Sequence, residues 1–381
     1  CNFRGFYTVY RTVRRYPRKI GGNLLGYVSE VNADYLKRNP EYKIGDYVGM
    51  GGVESAYEPL LRGTKGVKIQ EIDTHGAIKG SYMNGVYDSL PEPGKYIVST
   101  IDARLQLLGE ELMRGKVGAA VAIEPSTGEI LMMVSSPTYD PDELVGRERG
   151  NNYMKMLGNK RQPLYNRAVR AKYPPGSTFK LATMLTLLDD ADMSPQTAYD
   201  THNGDPVTVG PAKNIRDSHR GDHVIDFRRA VASSSNVYFA EAVWDRYGIT
   251  GRKQRYSDYL RDELHLGETV GLERLGERAP SITADWKVPD PGVMLVKMSY
   301  GYRVRLAPIQ MITFYNAVAN EGRMISPVLV RELRRGDRVE ERFESRTISS
   351  SVCSRQTLRI VRECLQAVCT EGTASAFFRD T

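Results

Sequence analysis

Two consecutive prolines followed by a glycine fix the start of a helix near the middle of this 381-residue chain. The segment reads Tyr173-Pro174-Pro175-Gly176-Ser177-Thr178-Phe179-Lys180, and a mostly apolar run over residues 181–188 follows it. Because proline cannot occupy a helix interior and glycine permits a sharp entry, we expect the helix to begin at or just after Gly176. Residues three apart share a helix face, so Lys180 is expected beside the hydroxyl of Ser177.

This pair of side chains indicates a nucleophile beside a base. A serine hydroxyl is a weak nucleophile at neutral pH, and an amine removes its proton only when the amine is largely neutral. The partial positive charge of a helix N-terminus and the apolar run after Lys180 both lower the pKa of that lysine. A serine three residues before a lysine also arises by chance in a chain of this length, so a second motif is needed.

The second candidate motif is Ser234-Ser235-Asn236, inside the segment of residues 231–239. The apolar residues that follow predict a helix that anchors these polar side chains. Hydroxyl and amide groups both donate and accept hydrogen bonds, so Ser234 could relay a proton and Asn236 could hold a substrate amide. The alternative is a serine-rich helix cap, and the pair Ser177 and Lys180, about 55 residues upstream, argues against it.

Composition limits the classes of function. A length of 381 residues suggests two domains with an ample core. The net charge of +7 favours contact with anionic surfaces, although a solvated basic face explains it better, and no zinc-finger spacing or aromatic-studded basic helix supports nucleic-acid binding. The longest apolar runs are far shorter than the ~20 residues that span a bilayer, so we expect any membrane anchor to lie outside this chain.

The cysteines and histidines fit no standard disulfide or metal motif. Cys1 stands alone, and Cys353, Cys364 and Cys369 lie close together without a CxxC pair. Cys364 and Cys369 are five residues apart on a predicted helix, so their side chains point apart and no disulfide joins them. Residues 200–223 interleave histidines with aspartates that could bind zinc, but the spacing favours a polar loop with hydrogen-bonded histidines.

Local signals divide the chain at a turn-rich segment, residues 90–94, into a small module over residues 1–94 and a larger domain over residues 95–381. In the small module we predict a strand within residues 1–20, a helix capped by Asn32 that ends before Pro40, and a helix over 53–61 closed by Gly63.

In the larger domain we predict a strand over 96–100 and then a helix over 102–113, with Asp102 as its cap and Leu105, Leu108 and Leu112 as its apolar face. A hairpin over 118–134, buried on both faces, and irregular structure over 135–172 are predicted to follow.

The two motifs resemble the first two active-site motifs of the penicillin-recognising serine transpeptidases. Residues 122–130 are similar to the family's first sheet hairpin, and residues 300–302 and 306–311 are similar to its later helical region. Within the family the chain resembles the class B penicillin-binding proteins over nearly its whole length. Residues 26–32, 61–66 and 173–176 resemble the elongation-type penicillin-binding protein 2, whereas residues from about 183 onward, especially 314–322, are more similar to division-type transpeptidases.

The resemblance implies an α/β (α+β) transpeptidase fold, with a mostly antiparallel sheet flanked by helices, behind an extended dimerisation-type pedestal at residues 1–94. It implies a peptidoglycan D,D-transpeptidase in which Ser177 attacks the penultimate D-alanine of a stem peptide and an amine of a neighbouring stem takes the acyl group. Lys180 would be the base, Ser234 a proton shuttle and Asn236 a partner of Lys180 or the substrate amide, with Ser235 as a substrate-binding residue. β-Lactams would acylate the same serine, and no metal or organic cofactor is implied.

One departure concerns the family's third motif, Lys-Thr-Gly on a sheet strand, which supplies a cation and an oxyanion-hole donor. No lysine follows Lys297 in this sequence, so we expect a fragment that is inactive alone. The resemblance also implies a bacterial inner-membrane protein, its catalytic domain on the periplasmic side, that works with a membrane glycosyltransferase and with elongation or division proteins. Two alternatives stay open, a β-lactam sensor or β-lactamase-like hydrolase, and a non-catalytic scaffold of the wall-synthesis machinery.

Overall fold

The structure is a computed structural model that describes residues 14–221, 223–282 and 285–378. The chain separates into two compact units built from discontinuous segments. The first unit comprises Cys1–Ala119, Met132–Asn166 and Leu329–Glu344, and the second comprises Ala120–Leu131, Arg167–Val328 and Ser345–Thr381. The predicted boundary at residue 94 therefore stays a prediction. The strand expected within residues 1–20 lies mainly outside the described residues, and residues 14–20 contain a turn without a strand.

The first unit combines short helices with three small antiparallel sheets. Its helices are Gly22–Leu25, Ala33–Arg38, Gly52–Ala56, Glu58–Leu61, Ala103–Leu112 and Arg149–Leu157. Its two-stranded sheets pair Tyr27–Glu30 with Tyr47–Met50 and Gln70–Ile72 with Ile78–Ser81. In the third sheet, Val330–Arg335 lies between Tyr96–Ser99 and Arg338–Arg342 and is antiparallel to both.

Two predicted helix caps are confirmed. The side chain of Asn32 accepts a hydrogen bond from the Tyr35 amide at 2.8 Å, and that of Asp102 accepts one from the Arg104 amide at 2.8 Å. The helix predicted over residues 53–61 is instead split in two at Tyr57. Proline has no N–H for a helix interior, so the proline after Glu58 occupies the first turn of a new helix.

The helix Ala103–Leu112 buries a polar face. Leu108 and Leu112 are 49% and 63% exposed, so the predicted leucine face is wrong. Gln106 is buried instead, and its amide pairs with the backbone of Met133, donating to the carbonyl at 3.1 Å and accepting from the N–H at 2.9 Å. Because unpaired buried backbone groups are costly, this double hydrogen bond determines which face of the helix is turned inward.

The predicted hairpin is present. Strands Gly118–Ile123 and Ile130–Ser136 pair with each other. Five of the six residues of the first strand are only half-buried, so the prediction of burial on both faces is wrong for that strand. The segment predicted to be irregular also contains two helices, Arg149–Leu157 and Arg167–Arg170.

The second unit is mainly helical, with short two-stranded sheets. Its α-helices are Arg167–Arg170, Lys180–Leu185, Phe227–Ala232, Asn236–Val243, Lys253–Asp258, Pro291–Met298, Pro308–Ala319 and Arg355–Thr370. Its sheets pair Tyr199–Asp200 with Val224–Ile225, Val207–Val209 with Ala212–Ile215, and Met324–Ile325 with Thr347–Ser349. The apolar run after Lys180 lies in the core, with Leu181 and Leu185 at most 1% exposed.

Both tryptophans of the chain lie in the second unit. Trp244 begins the helical turn Trp244–Ile249, and its indole ring is closely surrounded by glycines. A Cβ atom at Gly210 or Gly248 would come within 2.2 Å of that ring, so the packing requires glycine at both positions. The indole N–H of Trp286 donates to the hydroxyl of Ser257 at 3.2 Å.

The three described cysteines, Cys353, Cys364 and Cys369, are free thiols, which confirms that no disulfide joins the last two. Burial raises the pKa of Cys364 to about 11, so this thiol stays protonated at neutral pH. Across the residues that the structure describes, no helix is both long and apolar enough to cross a membrane.

Candidate active site

The helix that carries Ser177 begins at Gly176, as the prolines predict. A 3-10 turn, Gly176–Phe179, continues into the α-helix Lys180–Leu185. The N–H of Gly176 donates to the carbonyl of Gly301 at 3.2 Å, and the two backbones are so close that a Cβ on Gly301 would lie 2.0 Å from the Gly176 carbonyl oxygen. Gly301 also has a φ of +85°, so both space and backbone conformation require glycine there.

Lys180 joins the two sequence motifs. Its side chain is buried, with 4% of the residue exposed. The amine Nζ donates to the carbonyl oxygen of Ser234 at 2.6 Å and to its hydroxyl at 3.2 Å. It also donates to the amide oxygen of Asn236 at 2.9 Å. Ser177 lies in the preceding turn and is exposed, so the nucleophile candidate faces solvent while the base candidate lies beneath the surface.

Burial lowers the pKa of Lys180 to about 7, and the negative charge of Asp217 partly opposes this effect. The direction predicted from the apolar run is thus confirmed. The Nζ atom also lies 5.6 Å from the centre of the apolar Phe239 ring. A lysine with such a pKa is about half neutral at pH 7, which is the range that general-base catalysis favours.

The contacts of Lys180 suit a proton relay. As an ammonium, Lys180 has three N–H donors for the three acceptors around it. As a neutral amine it keeps two donors and exposes a lone pair, to which the hydroxyl of Ser234 can then donate. A proton can therefore pass between these two groups without either moving far.

Ser234 has an unusual backbone conformation, with a φ of +55°. Non-glycine residues rarely occupy this left-handed region, and such residues are concentrated at functional sites. Two backbone hydrogen bonds hold the turn to the end of the preceding helix: Ser234 donates to Val231 at 3.0 Å and Ser235 donates to Ala230 at 2.9 Å. The strained turn places both the carbonyl and the hydroxyl of Ser234 against Lys180.

Ser235 is the buried residue of the motif. It is 1% exposed, its hydroxyl donates to the Asp217 carboxylate at 2.7 Å, and it accepts from the Tyr238 amide at 3.1 Å. Because its hydroxyl makes both of these hydrogen bonds and the residue is buried, Ser235 is placed to hold the N-terminus of the helix Asn236–Val243. The substrate-binding role that the resemblance implies for Ser235 stays a prediction.

Sequence reasoning missed the contacts of Arg216 and Asp217, two consecutive residues that hydrogen-bond the motif. The Asp217 carboxylate accepts from the amides of Asn236 at 2.5 Å and Val237 at 2.9 Å. The carbonyl of Arg216 accepts from the side-chain amide of Asn236 at 3.0 Å. The sequence grouped Asp217 with possible zinc ligands, and a carboxylate in a polar loop gave no other signal.

The described part of the histidine-rich segment shows no metal-binding arrangement. Within residues 14–221, 223–282 and 285–378, no group of three or more His, Cys, Asp or Glu side chains is placed to hold a metal ion. His202 and His223 lie 3.9 and 3.8 Å from the carboxylate of Asp200. Among the described residues of this group, Asp217 is the one that hydrogen-bonds the Ser234-Ser235-Asn236 motif.

Comparison with known proteins shows two matching domain families. Residues 118–379 match the penicillin binding protein transpeptidase domain, and residues 1–99 match the penicillin-binding protein dimerisation domain. The peptidoglycan D,D-transpeptidase MrdA of Salmonella typhimurium is 30% identical over 336 residues, which cover 83% of this chain and 52% of that protein. The chain thus spans about half the length of the curated relatives it matches.

Solved structures of related proteins also match this chain. A peptidoglycan synthase complex, solved to show how polymerization and crosslinking are coordinated, matches with a TM-score of 0.77 and 29% identity over 96% of this chain and 63% of that one. PBP2 of Pseudomonas aeruginosa, in complex with WCK 5153, matches with a TM-score of 0.74 and 26% identity over 98% of this chain and 79% of that one. These likenesses confirm the predicted mixed α/β fold class.

Proposed function

Because this chain belongs to the class B penicillin-binding proteins, we propose that Ser177 is the nucleophile of a peptidoglycan D,D-transpeptidase. The observation that carries the proposal is the position of Lys180. Its amine is buried one helical turn after an exposed serine and hydrogen-bonds both Ser234 and Asn236. An amine that is about half neutral at pH 7 and contacts a second hydroxyl can supply both the base for attack and the route for the proton.

These positions support the following reaction. Lys180 accepts the Ser177 hydroxyl proton as Oγ attacks the carbonyl of the penultimate D-alanine in a peptidoglycan stem peptide. When the tetrahedral intermediate collapses and the C–N bond breaks, the Ser234 hydroxyl gives a proton to the leaving D-alanine and recovers one from the Lys180 ammonium. An amine of a neighbouring stem peptide then attacks the ester carbonyl and passes a proton to the neutral Lys180 amine. The C–Oγ bond breaks, Lys180 returns that proton to the Ser177 oxygen, and the new amide bond is the cross-link.

Asn236 and Ser235 have supporting roles in this proposal. The amide oxygen of Asn236 orients the Lys180 amine, and its fixed position leaves the motif ready to receive a substrate amide. Ser235 holds the helix that carries Asn236. β-Lactams present a strained amide at the same carbonyl position, so they acylate Ser177 and block it. No step of this reaction requires a metal or an organic cofactor.

The comparisons also support proposals about location and partners. One structural relative is a complex that coordinates polymerization with crosslinking. We propose that this protein likewise works beside a membrane glycosyltransferase, together with elongation or division proteins, in the bacterial inner membrane with the catalytic unit on the periplasmic side.

Labelling with a fluorescent penicillin tests the function, using the protein at its full natural length. Wild type should form a covalent adduct on the peptide that carries residue 177, Ser177→Ala should form none, and Lys180→Ala should acylate at least 100-fold more slowly, roughly the loss typical of a general base. Lys172→Ala, a nearby lysine outside the motif, is the matched control and should acylate like wild type.

Three outcomes would contradict the proposal. An adduct that forms and turns over within seconds would indicate a β-lactamase-like hydrolase. Equal rates in Lys180→Ala and Lys172→Ala would overturn the assignment of the base. No adduct in wild type, with unchanged wall synthesis in cells that carry Ser177→Ala at normal level, would favour the non-catalytic scaffold.

A further inference from the structure

We propose that Asp217 is a positioning residue for acyl transfer, which holds the Ser234-Ser235-Asn236 motif in shape and supplies a negative charge to the site. This inference rests on the proposed function and deepens it. Asp217 touches none of the reacting groups directly. Its effect passes through the backbone of the motif and through its charge.

The first argument is the N-terminus of helix Asn236–Val243. The first N–H groups of a helix have no partner within the helix and need acceptors. One oxygen of Asp217 accepts from the amides of Asn236 and Val237, and the other accepts from the Ser235 hydroxyl, which itself accepts from the Tyr238 amide. One carboxylate therefore organises three consecutive N–H groups, and its negative charge also suits the positive end of the helix dipole.

The second argument concerns the side chain of Asn236. An amide has an oxygen end and a nitrogen end, and the hydrogen-bond partners decide which way it faces. The carbonyl of Arg216 accepts from the nitrogen end at 3.0 Å, which leaves the oxygen end for Lys180 at 2.9 Å. Because Arg216 and Asp217 are consecutive, one short segment fixes both the backbone and the amide of Asn236.

The third argument is electrostatic. Lys180 is buried, and in the described part of the chain Asp217 is the charged group that acts on its pKa, in the direction opposite to burial. An anion close to an ammonium favours the protonated form. Removing the charge while keeping the shape should therefore lower the pKa of Lys180 further and increase the neutral fraction at acid pH.

Asp217→Asn separates the charge from the shape. Asparagine keeps one acceptor oxygen for the amides of Asn236 and Val237, and its NH₂ group can donate to the Ser235 hydroxyl. The rate constant for acylation by fluorescent penicillin is measured from pH 5 to 9. We expect the acid limb of the profile to move down by roughly 0.5–1 pH unit, as the loss of one partly screened charge predicts.

Asp205→Asn is the matched control. Asp205 lies in the same polar region and is exposed, and its carboxylate pairs with Arg220 at 3.2 Å. This variant should keep the wild-type profile. Asp217→Glu keeps the charge but displaces the acceptor by one methylene, so it should keep the wild-type midpoint and acylate about tenfold more slowly, since small misplacements in active sites have effects of this size or larger.

The outcomes separate this inference from the proposed function. If wild type forms no adduct with Ser177, the proposed function fails and this inference fails with it. If wild type acylates normally and the midpoints of Asp217→Asn and Asp205→Asn are the same, the electrostatic role is wrong. If Asp217→Asn does not fold, Asp217→Glu decides, because a wild-type rate in that variant would overturn the positioning role.

Discussion

Replacing the buried lysine by methionine should remove the chemistry and make the protein more stable. Lys180 lies at 4% exposure, and its pKa is about 7 instead of the ordinary 10.5. The folded state therefore gives up a proton that the unfolded state keeps. A fall in pKa of this size corresponds to roughly 5 kcal/mol of lost stability. Methionine has a similar length and no charge to bury.

The sign of the effect fixes its pH dependence. Because the folded pKa lies below the unfolded one, the cost is complete below pH 7, decreases between pH 7 and about 10.5, and disappears above that range. The substitution also leaves the acceptors on Ser234 and Asn236 without a donor, at about 1 kcal/mol each. We expect Lys180→Met to raise the free energy of unfolding by about 1–3 kcal/mol at pH 6, and to lose that advantage by pH 10.

Urea denaturation followed by circular dichroism at pH 6 and pH 10 measures this difference. Lys172→Met is the control, because it removes a lysine outside the site and should leave the free energy of unfolding within about 0.5 kcal/mol of wild type. A Lys180→Met protein that is less stable than wild type at pH 6, or a difference that is the same at both pH values, would refute the reasoning.

Two further predictions test the surroundings of the site and the corrected helix face. Gly301→Ala should slow penicillin acylation at least tenfold and lower the melting temperature, because its Cβ would overlap the carbonyl oxygen of Gly176. Gly150→Ala is the control, because a Cβ there meets open space within a helix. It should leave the free energy of unfolding unchanged or raise it by up to about 1 kcal/mol. Gln106→Leu should lower the free energy of unfolding by about 2–4 kcal/mol in urea titrations, since the N–H and the carbonyl of Met133 both lose their partner. A change below about 0.5 kcal/mol would show that these two hydrogen bonds do not contribute to stability.

The sequence predictions that are confirmed depend on interactions between residues close together in the chain. Asn32 and Asp102 cap helices because their short side chains reach the free N–H groups of the next turn, and that interaction needs no distant residue. The helix start at Gly176 follows equally from the two prolines before it. The burial of Lys180 could be anticipated as well, because a long apolar run follows it along the same helix.

The features that sequence reasoning missed depend on partners far away in the chain. The leucines of Ala103–Leu112 predicted one buried face, but the backbone of Met133 needed hydrogen bonds that only a polar side chain could supply. Asp217 likewise accepts a hydrogen bond from the helix that begins at Asn236, 19 residues later in the chain, a contact that no local pattern reveals. The burial of Ser235 was also missed, since burial is a property of the folded chain.

The placement of the two tryptophans gives this protein a built-in optical probe. Trp244 and Trp286 are the only tryptophans in the sequence, and both belong to the second unit. Selective excitation of indole therefore detects the loosening of that unit while the first unit remains silent. Trp244 also follows directly on the helix Asn236–Val243. Its emission can thus report a change in the helix that begins at Asn236 without any attached dye.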